Sequence, residues 1–378
     1  MAPLVKLPWE LLEEDVLSHL PPQSLVRFRT VSNKFNSLFN DKTFIKNHLS
    51  RSLPQFILLT TSKIYSIDII DLNHIDPTIE VRELPSFSNI PNRETNYNRN
   101  TIVTTCDELL FCNYRFVESK TALWNPWLRQ VKWIEYGDRE FCVFGLGYDN
   151  TRPDKVYKIL GYLFCHGKLL RNQTVGIYEC ASNLLRFIDR PKDDDYPLSE
   201  IAKLSNVSLN GNIYWLASSN SHTNEYYIRM FDFSTEKFKP FCRLFPGQKN
   251  HHINEVILAV YKGDRFSLLE QYRVTREIGI WVTKERIGVG GEGVVWIKLM
   301  TLSTTNLPRL VAEQVYRASY FIYEKTLVMC RGDDETGEAC IYILREDLCK
   351  KIQIGARIVR CCHCVYTPNL ISLPLFGG

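Results

Sequence analysis

Apolar residues near the start of the chain recur every three to four positions, whereas from about residue 50 they fall in short, aromatic, β-branched runs separated by turn residues. The first pattern belongs to helices and the second to strands. Leu12, Val16 and Leu20 stand at helical spacing, and Leu11 and Leu17 widen their stripe to roughly 100°. Pro8 suits a first helical position, where its missing N–H has no intrahelical partner to lose. Glu10, Glu13 and Glu14 follow in the opening turns, where carboxylates favour the positive end of the dipole. Pro21-Pro22 stops this helix. A second helix is predicted with Ser24 as its cap and Leu25, Phe28 and Val31 on one side; Phe35, Leu38 and Phe39 carry the series into a third. The unit spans residues 1–50. That is below the size at which one core is usually self-sufficient, so part of its apolar face is expected to be covered by another protein. A helical cap packed on the rest of the same chain would give the same pattern.

Residues 51–378 read as a large all-β domain. Its clearest hairpin is Val207 to Leu216, where Asn210-Gly211 supplies the positive φ values of a two-residue turn. A looser repetition runs over the strands: Tyr65, Trp124, Tyr178, Phe231, Trp281 and Tyr342 each sit in an aromatic strand followed by a turn and a returning strand. Trp133, Phe187, Phe238, Trp296 and Ile352 answer the last five. The steps between the six markers are 59, 54, 53, 50 and 61 residues, close to the roughly 50-residue unit of a kelch-type propeller. The expectation is therefore a kelch-like β-propeller of about six blades, each stacking on its neighbours because it cannot cover both its faces alone. The late strand from Ile358 to Tyr366 would close the ring by pairing near Phe56. A large β-sandwich with accidental spacing is the alternative.

Composition narrows the function classes. The 378 residues carry a net charge of only +4, with lysines and arginines scattered, so no nucleic-acid footprint is implied. Charged residues interrupt the start by Lys6 and Glu10, which argues against a signal peptide, and no run approaches the roughly 18 apolar residues of a membrane span. The chain is expected to be soluble and intracellular, in cytoplasm, nucleus or both. The twelve cysteines are dispersed through apolar strands, as small buried hydrophobes of a reducing compartment are. On that reading the sequons at Asn172 and Asn206 are chance matches.

Two family resemblances sharpen this picture. Leu7-Pro8, Glu10-Leu11, the VLSHLP run at 16–21, Leu25, the RFR run at 27–29 and Val31 resemble the F-box, which binds the Skp adaptor of cullin-based ubiquitin ligases. The family's usual third-helix Cys and Trp are Ser32 and Phe35 here. The resemblance implies adaptor contacts by Leu7, Pro8, Leu11, Leu17, Leu20, Pro21, Leu25 and Val31, with Arg27 and Arg29 suited to an acidic adaptor surface. Farther along, ALWNPWLRQ (122–130), GYDNTRPDKVYKIL (147–160), VSLNGNIYWLA (207–217), MFDFSTEKF (230–238) and GIWVTKE (279–285) resemble the type 1 F-box-associated domain of plant F-box proteins. That family's fold is described as kelch-like.

Sites of chemistry are hard to assemble. Cys361-Cys362-His363-Cys364 offers zinc-ligand chemistry, but adjacent strand residues point to opposite faces and no second ligand pair stands nearby. The glycines at 288, 290, 291 and 293 lead into a strand rather than the helix a phosphate cradle needs, and read as a flexible hairpin tip. His251-His252 reads as a surface pair and Asp193-Asp194-Asp195 as a solvated acidic loop. No Ser-His-Asp or Cys-His set presents itself, and no cofactor is implied. Polar loops at Asn89–Asn100, Lys192–Glu200, Ser218–Glu225 and Gly332–Glu338 are candidates for a target-binding surface. The expected function is a non-catalytic substrate-recognition subunit of a cullin-type (SCF) ubiquitin ligase, with the Skp adaptor, and cullin through it, as partners beside an unknown target protein. An F-box protein that binds adaptor and partner without degradation, or an enzyme whose F-box regulates its turnover, would share many of these features.

Overall fold

The computed structural model describes residues 8–60, 63–85, 101–106, 108–114, 120–136, 141–152, 155–163, 174–188, 206–218, 226–244, 255–272, 274–288, 290–291, 293–303, 307, 310, 318–333, 335–336, 338–357 and 362–373. A helical unit comes first. Its opening helix, α1 (Trp9–Leu11), runs on through a wider turn over Leu12–Val16 and a tighter one over Leu17–His19. Then come α2 (Pro22–Phe28), α3 (Asn33–Leu38) and α4 (Lys42–Arg51), four helices where the apolar pattern predicts three. Pro8 is the residue just before α1, not its first helical position, and α2 starts at Pro22, which leaves Ser24 inside the helix rather than capping it. The caps that form lie further on. The Ser32 hydroxyl accepts from the Phe35 amide, and the Asp41 carboxylate accepts from the amides of Thr43 and Phe44, starting α3 and α4.

Six four-stranded antiparallel sheets follow, arranged as a propeller. Blade 1 contains β1 (Gln55–Leu59), β2 (Ile64–Ile70) and β3 (Thr78–Leu84); blade 2, β4 (Thr101–Cys106), β5 (Leu109–Tyr114), β6 (Lys120–Asn125) and β7 (Gln130–Glu135). Blade 3 is β8 (Phe141–Tyr148), β9 (Tyr157–Leu163), β10 (Val175–Glu179) and β11 (Leu184–Ile188). Blade 4 is β12 (Asn206–Leu209), β13 (Asn212–Ser218), β14 (Tyr226–Asp232) and β15 (Lys237–Arg243). Blade 5 is β16 (Glu255–Tyr261), β17 (Arg265–Gln271), β18 (Ile278–Thr283) and β19 (Trp296–Leu302), and blade 6 is β20 (Ser319–Tyr323), β21 (Thr326–Gly332), β22 (Glu338–Arg345) and β23 (Leu348–Arg357). The last strand, β24 (Cys362–Tyr366), pairs with β1 in the register Phe56↔Val365 and completes blade 1, closing the ring as the pattern requires. All six aromatic markers fall on the third strand of their blades, and their five answering residues fall on the fourth.

The middle strands are buried on both faces, as in β17 and β21, while outer strands such as β3 and β11 show half their residues to solvent. One apolar cluster fills each interface between adjacent blades. At the β12–β13 turn Asn210 and Gly211 both take positive φ. A side chain on Gly211 would meet the Tyr148 carbonyl, and one on Gly147 would run into the Gly211 carbonyl and the Phe233 ring, so blades 3 and 4 pack closely because both positions are glycine.

Candidate functional site

The helical unit has a filled interior and an open face. Leu17, Leu25, Leu38, Phe39 and Phe44 are buried together with Leu370, and Trp9, Leu12, Leu20, Val26, Phe35 and Ile45 pack partly buried around them. Phe35 holds the aromatic position of the third helix, with ring centroids 5.5 Å from Trp9, 5.8 Å from Phe28 and 5.9 Å from Phe39. His48 fixes α4 against the end of the opening helix: its Nε2 donates to the Leu20 carbonyl at 2.9 Å, and burial pushes its pKa down. The Arg29 guanidinium, its pKa lowered by burial, donates to the Phe39 carbonyl at 2.9 Å and so ties the end of α2 to the end of α3. Arg27 stays exposed.

The residues expected to touch an adaptor therefore divide. Leu17 and Leu25 lie in the interior and Leu20 is half-buried, whereas Pro8, Leu11, Pro21 and Val31 are exposed; Leu7 lies outside the described residues. Leu11 is 45% exposed and Val31 64%, and Val16 and Phe28, apolar positions not counted among the expected adaptor contacts, are exposed as well. The helical stripe alone could not separate the two groups, because Leu11 and Val16 share a period with residues that turn inward.

The propeller has two unlike ends. Antiparallel strands place the first-to-second and third-to-fourth connections of each blade at one end, and the second-to-third and blade-to-blade connections at the other. The chain enters β1 from α4, and β24 runs out into residues 367–373, at the first of these ends, so the helical unit sits there. Most connections at that end are short turns, and several are tied between blades. The Arg345 guanidinium donates to the His74 carbonyl at 3.0 Å, the Asn210 side chain to the Ile287 carbonyl at 2.8 Å, and the Lys158 ammonium to the Glu236 carboxylate at 2.7 Å.

Longer connections predominate at the opposite end: 85–100, 164–174, 189–205, 219–225, 244–254 and 303–318. All four candidate target loops belong to connections of this end. Residues 89–100, 192–200 and 219–225 lie outside the described residues, as do His251-His252 and Asp193-Asp194-Asp195. In the fourth loop the Asp333 carboxylate accepts from the amides of Glu335 and Thr336 and pairs with Lys351, which holds its pKa well below the usual carboxylate range.

Among the described residues, the remaining candidates do not bring together a set of metal-ligating or catalytic side chains. His363 and Cys364 point to opposite faces: His363 Nδ1 lies 2.7 Å from Ser319 Oγ where β20 and β24 adjoin, while Cys364 is buried between blades 1 and 2. The side chains of Cys361 and Cys362 lie outside the described residues, and among the described residues no three His, Cys, Asp or Glu side chains group as a metal site. The glycine run is not an open tip throughout, since a side chain at Gly291 would run into the Phe241 backbone of blade 4. Cys180 and Cys242 have thiol pKa values pushed by burial to about 12, a setting for packing rather than nucleophilic chemistry. No described helix is long and apolar enough to cross a membrane.

Comparison with known protein families gives two matches. Residues 4–47 match the F-box domain and residues 55–373 the F-box associated beta propeller domain. The protein SUPPRESSOR OF NIM1 1 of Arabidopsis thaliana is 69% identical over 376 residues, covering 98% of this chain and all of that protein. An F-box protein of the same plant is 52% identical over 377 residues, covering 98% of each chain, and a putative F-box/kelch-repeat protein is 42% identical over 382 residues, covering 98% and 99%.

Proposed function

Because the chain belongs to the F-box proteins that carry an F-box associated beta propeller domain, a family of non-enzymatic, adaptor-type proteins whose general role is SCF substrate recognition, we propose that it binds a Skp adaptor through its helical unit and a target protein through the far end of its propeller. Cullin joins through the adaptor. The observation that carries this reading is that Leu11, Val16, Phe28 and Val31 each leave apolar side chain exposed on a unit whose interior is already filled. Pro8 and Pro21 are exposed too and are assigned to the same adaptor contact, while Leu17, Leu20 and Leu25 pack inside the unit, and Leu7 is assigned to that contact by family resemblance alone. The long connections at the opposite end of the ring favour a target held away from the adaptor. The blade spacing keeps the kelch-like description within this reading, and residues 1–50 and 51–378 are its two working parts.

The mechanism is positional. Holding a target beside a charged conjugating enzyme raises the effective concentration of a target lysine, while thioester chemistry stays on other subunits. Co-purification of the full chain with a Skp-family adaptor and cullin tests the first half. Comparing ubiquitin-modified proteins with and without the chain under proteasome inhibition tests the second. Capture without any change in modified proteins would favour a non-degradative scaffold, and absence of capture would overturn the receptor reading.

A further inference from the structure

Only Ser52, Leu53 and Pro54 separate α4 from β1; Ser52 is hydrogen-bonded back to His48 as the cap of α4, and no helix or strand spans the linker to fix the angle between helical unit and propeller. A second connection does so. Residues 367–373, which follow β24, run between the helical unit and blade 2. Leu370, 1% exposed, completes the helical core beside Leu17, Leu25, Phe39 and Phe44, and Leu128 from the β6–β7 turn packs on the same cluster.

The neighbouring residue is held by a buried polar knot. Asn125 and Asn369 are both fully buried. Asn125 Nδ2 donates to Asn369 Oδ1 at 3.0 Å and to the Ile371 carbonyl at 2.8 Å. Asn125 Oδ1 accepts from the amides of Trp127 and Leu128, at 3.0 and 3.3 Å, and from the Tyr366 hydroxyl at 3.3 Å. Asn369 Nδ2 donates to the Glu108 carbonyl at 2.7 Å and the Thr367 carbonyl at 2.9 Å, and Asn369 Oδ1 accepts from the Ile371 amide at 2.9 Å. Farther on, the Leu373 amide donates to Gln130 Oε1 at 2.9 Å, and Ile371 and Leu373 pack on the core between blades 2 and 3. The Trp124-Asn125-Pro126-Trp127 phrase thus gains a physical role: its asparagine shapes its own turn and grips a segment more than 240 residues away.

We propose that residues 367–373 are the joint that fixes the helical unit on the propeller, with Asn369 and Leu370 as its positioning residues. A fully satisfied network specifies one arrangement, whereas a carboxylate at Asn369 would turn an oxygen toward the Glu108 and Thr367 carbonyls, where two N–H donors now point. The joint itself rests on this packing alone. Its consequence, a constant distance from adaptor to bound target, rests on the receptor reading above.

The test uses the full chain with spin labels carried by non-canonical residues at Asn36 on α3 and Lys262 in the β16–β17 turn, both exposed. The intact protein should give a single narrow distance distribution by pulsed electron paramagnetic resonance. Asn369→Asp should lose it, Leu370→Ala should broaden it, and Leu370→Met should restore it, with the propeller's near-ultraviolet circular dichroism retained. If Asn369→Asp does not fold, Leu370→Ala and its rescue still decide the matter. A broad distribution in the intact chain, or a narrow one kept by the folded variants, overturns the proposal. Adaptor capture is measured on the same samples. A narrow distribution without capture would sink the receptor reading and leave the joint standing.

Discussion

Truncating the open face of the helical unit while leaving its interior alone should weaken adaptor binding without unfolding the protein. The variant is Leu11→Ala with Val31→Ala. Full desolvation of a Leu or Val is worth about 1.5–3 kcal/mol. With 45% of Leu11 and 64% of Val31 still open, covering what remains is worth about 1 kcal/mol at each, and alanine forfeits most of it. Together the loss is about 1.5–2 kcal/mol, which converts to roughly a 10- to 30-fold rise in Kd. Isothermal titration of the full chain with a purified Skp-family adaptor reads this directly, and thermal unfolding serves as the control, because neither side chain belongs to the buried cluster. A Kd within twofold of the parent, in a variant with unchanged unfolding, would refute the assignment of this face.

The interior gives the contrasting result: Leu25→Ala leaves a cavity beside Leu370 and should destabilise the helical unit by about 2–5 kcal/mol, seen as faster amide exchange in α2 and α3 while the propeller blades stay protected. At Gly147 a methyl group has no room beside the Gly211 carbonyl and the Phe233 ring, so Gly147→Ala should lower propeller stability by about 1–3 kcal/mol, read as a drop in Tm. At the β14–β15 turn, burial alone would raise the Asp232 pKa, but the Lys239 ammonium, the Ser234 and Thr235 hydroxyls and the Thr235 amide outweigh it and hold the carboxyl well below its ordinary range. A depressed folded pKa gives stability that is present above the unfolded value of about 4 and is lost as pH falls below it. Asp232→Asn should therefore unfold more readily than the parent at pH 7, by about 1–2 kcal/mol, with the gap narrowing in acid. An equal gap at pH 7 and pH 3 in urea titrations would refute that account.

The ring was legible because its signal is periodic. Six aromatic residues at steps of 50 to 61 all landed on third strands, in or against the cores between blades, and Asn210-Gly211 made the tight turn its chemistry dictates. Local competition spoiled the helical detail. Ser24 resembles a cap, yet Pro22 fills the first helical position, and the working caps are Ser32 and Asp41, the latter starting a helix the pattern missed. The division of the docking candidates into buried Leu17 and Leu25 and open Leu11 and Val31 was hidden because it depends on what covers each side of the stripe. That cover comes partly from Leu370, which has no periodic partners in its own stretch. Nothing local to Asn125 or Asn369 marks them as partners either, since their contact exists only after the ring has closed.

Closure by β24 also sets an order of events on the ribosome. About 300 residues separate β1 from the strand that covers its inner edge, so at translation rates of about 5–20 residues per second that edge waits roughly 15–60 s for its mate. An unpaired strand edge is a template for aggregation. Chaperone shielding of the nascent blade should therefore govern how much of this protein a cell accumulates, and premature stop codons even a dozen codons before Cys362 should yield insoluble product rather than a shortened receptor.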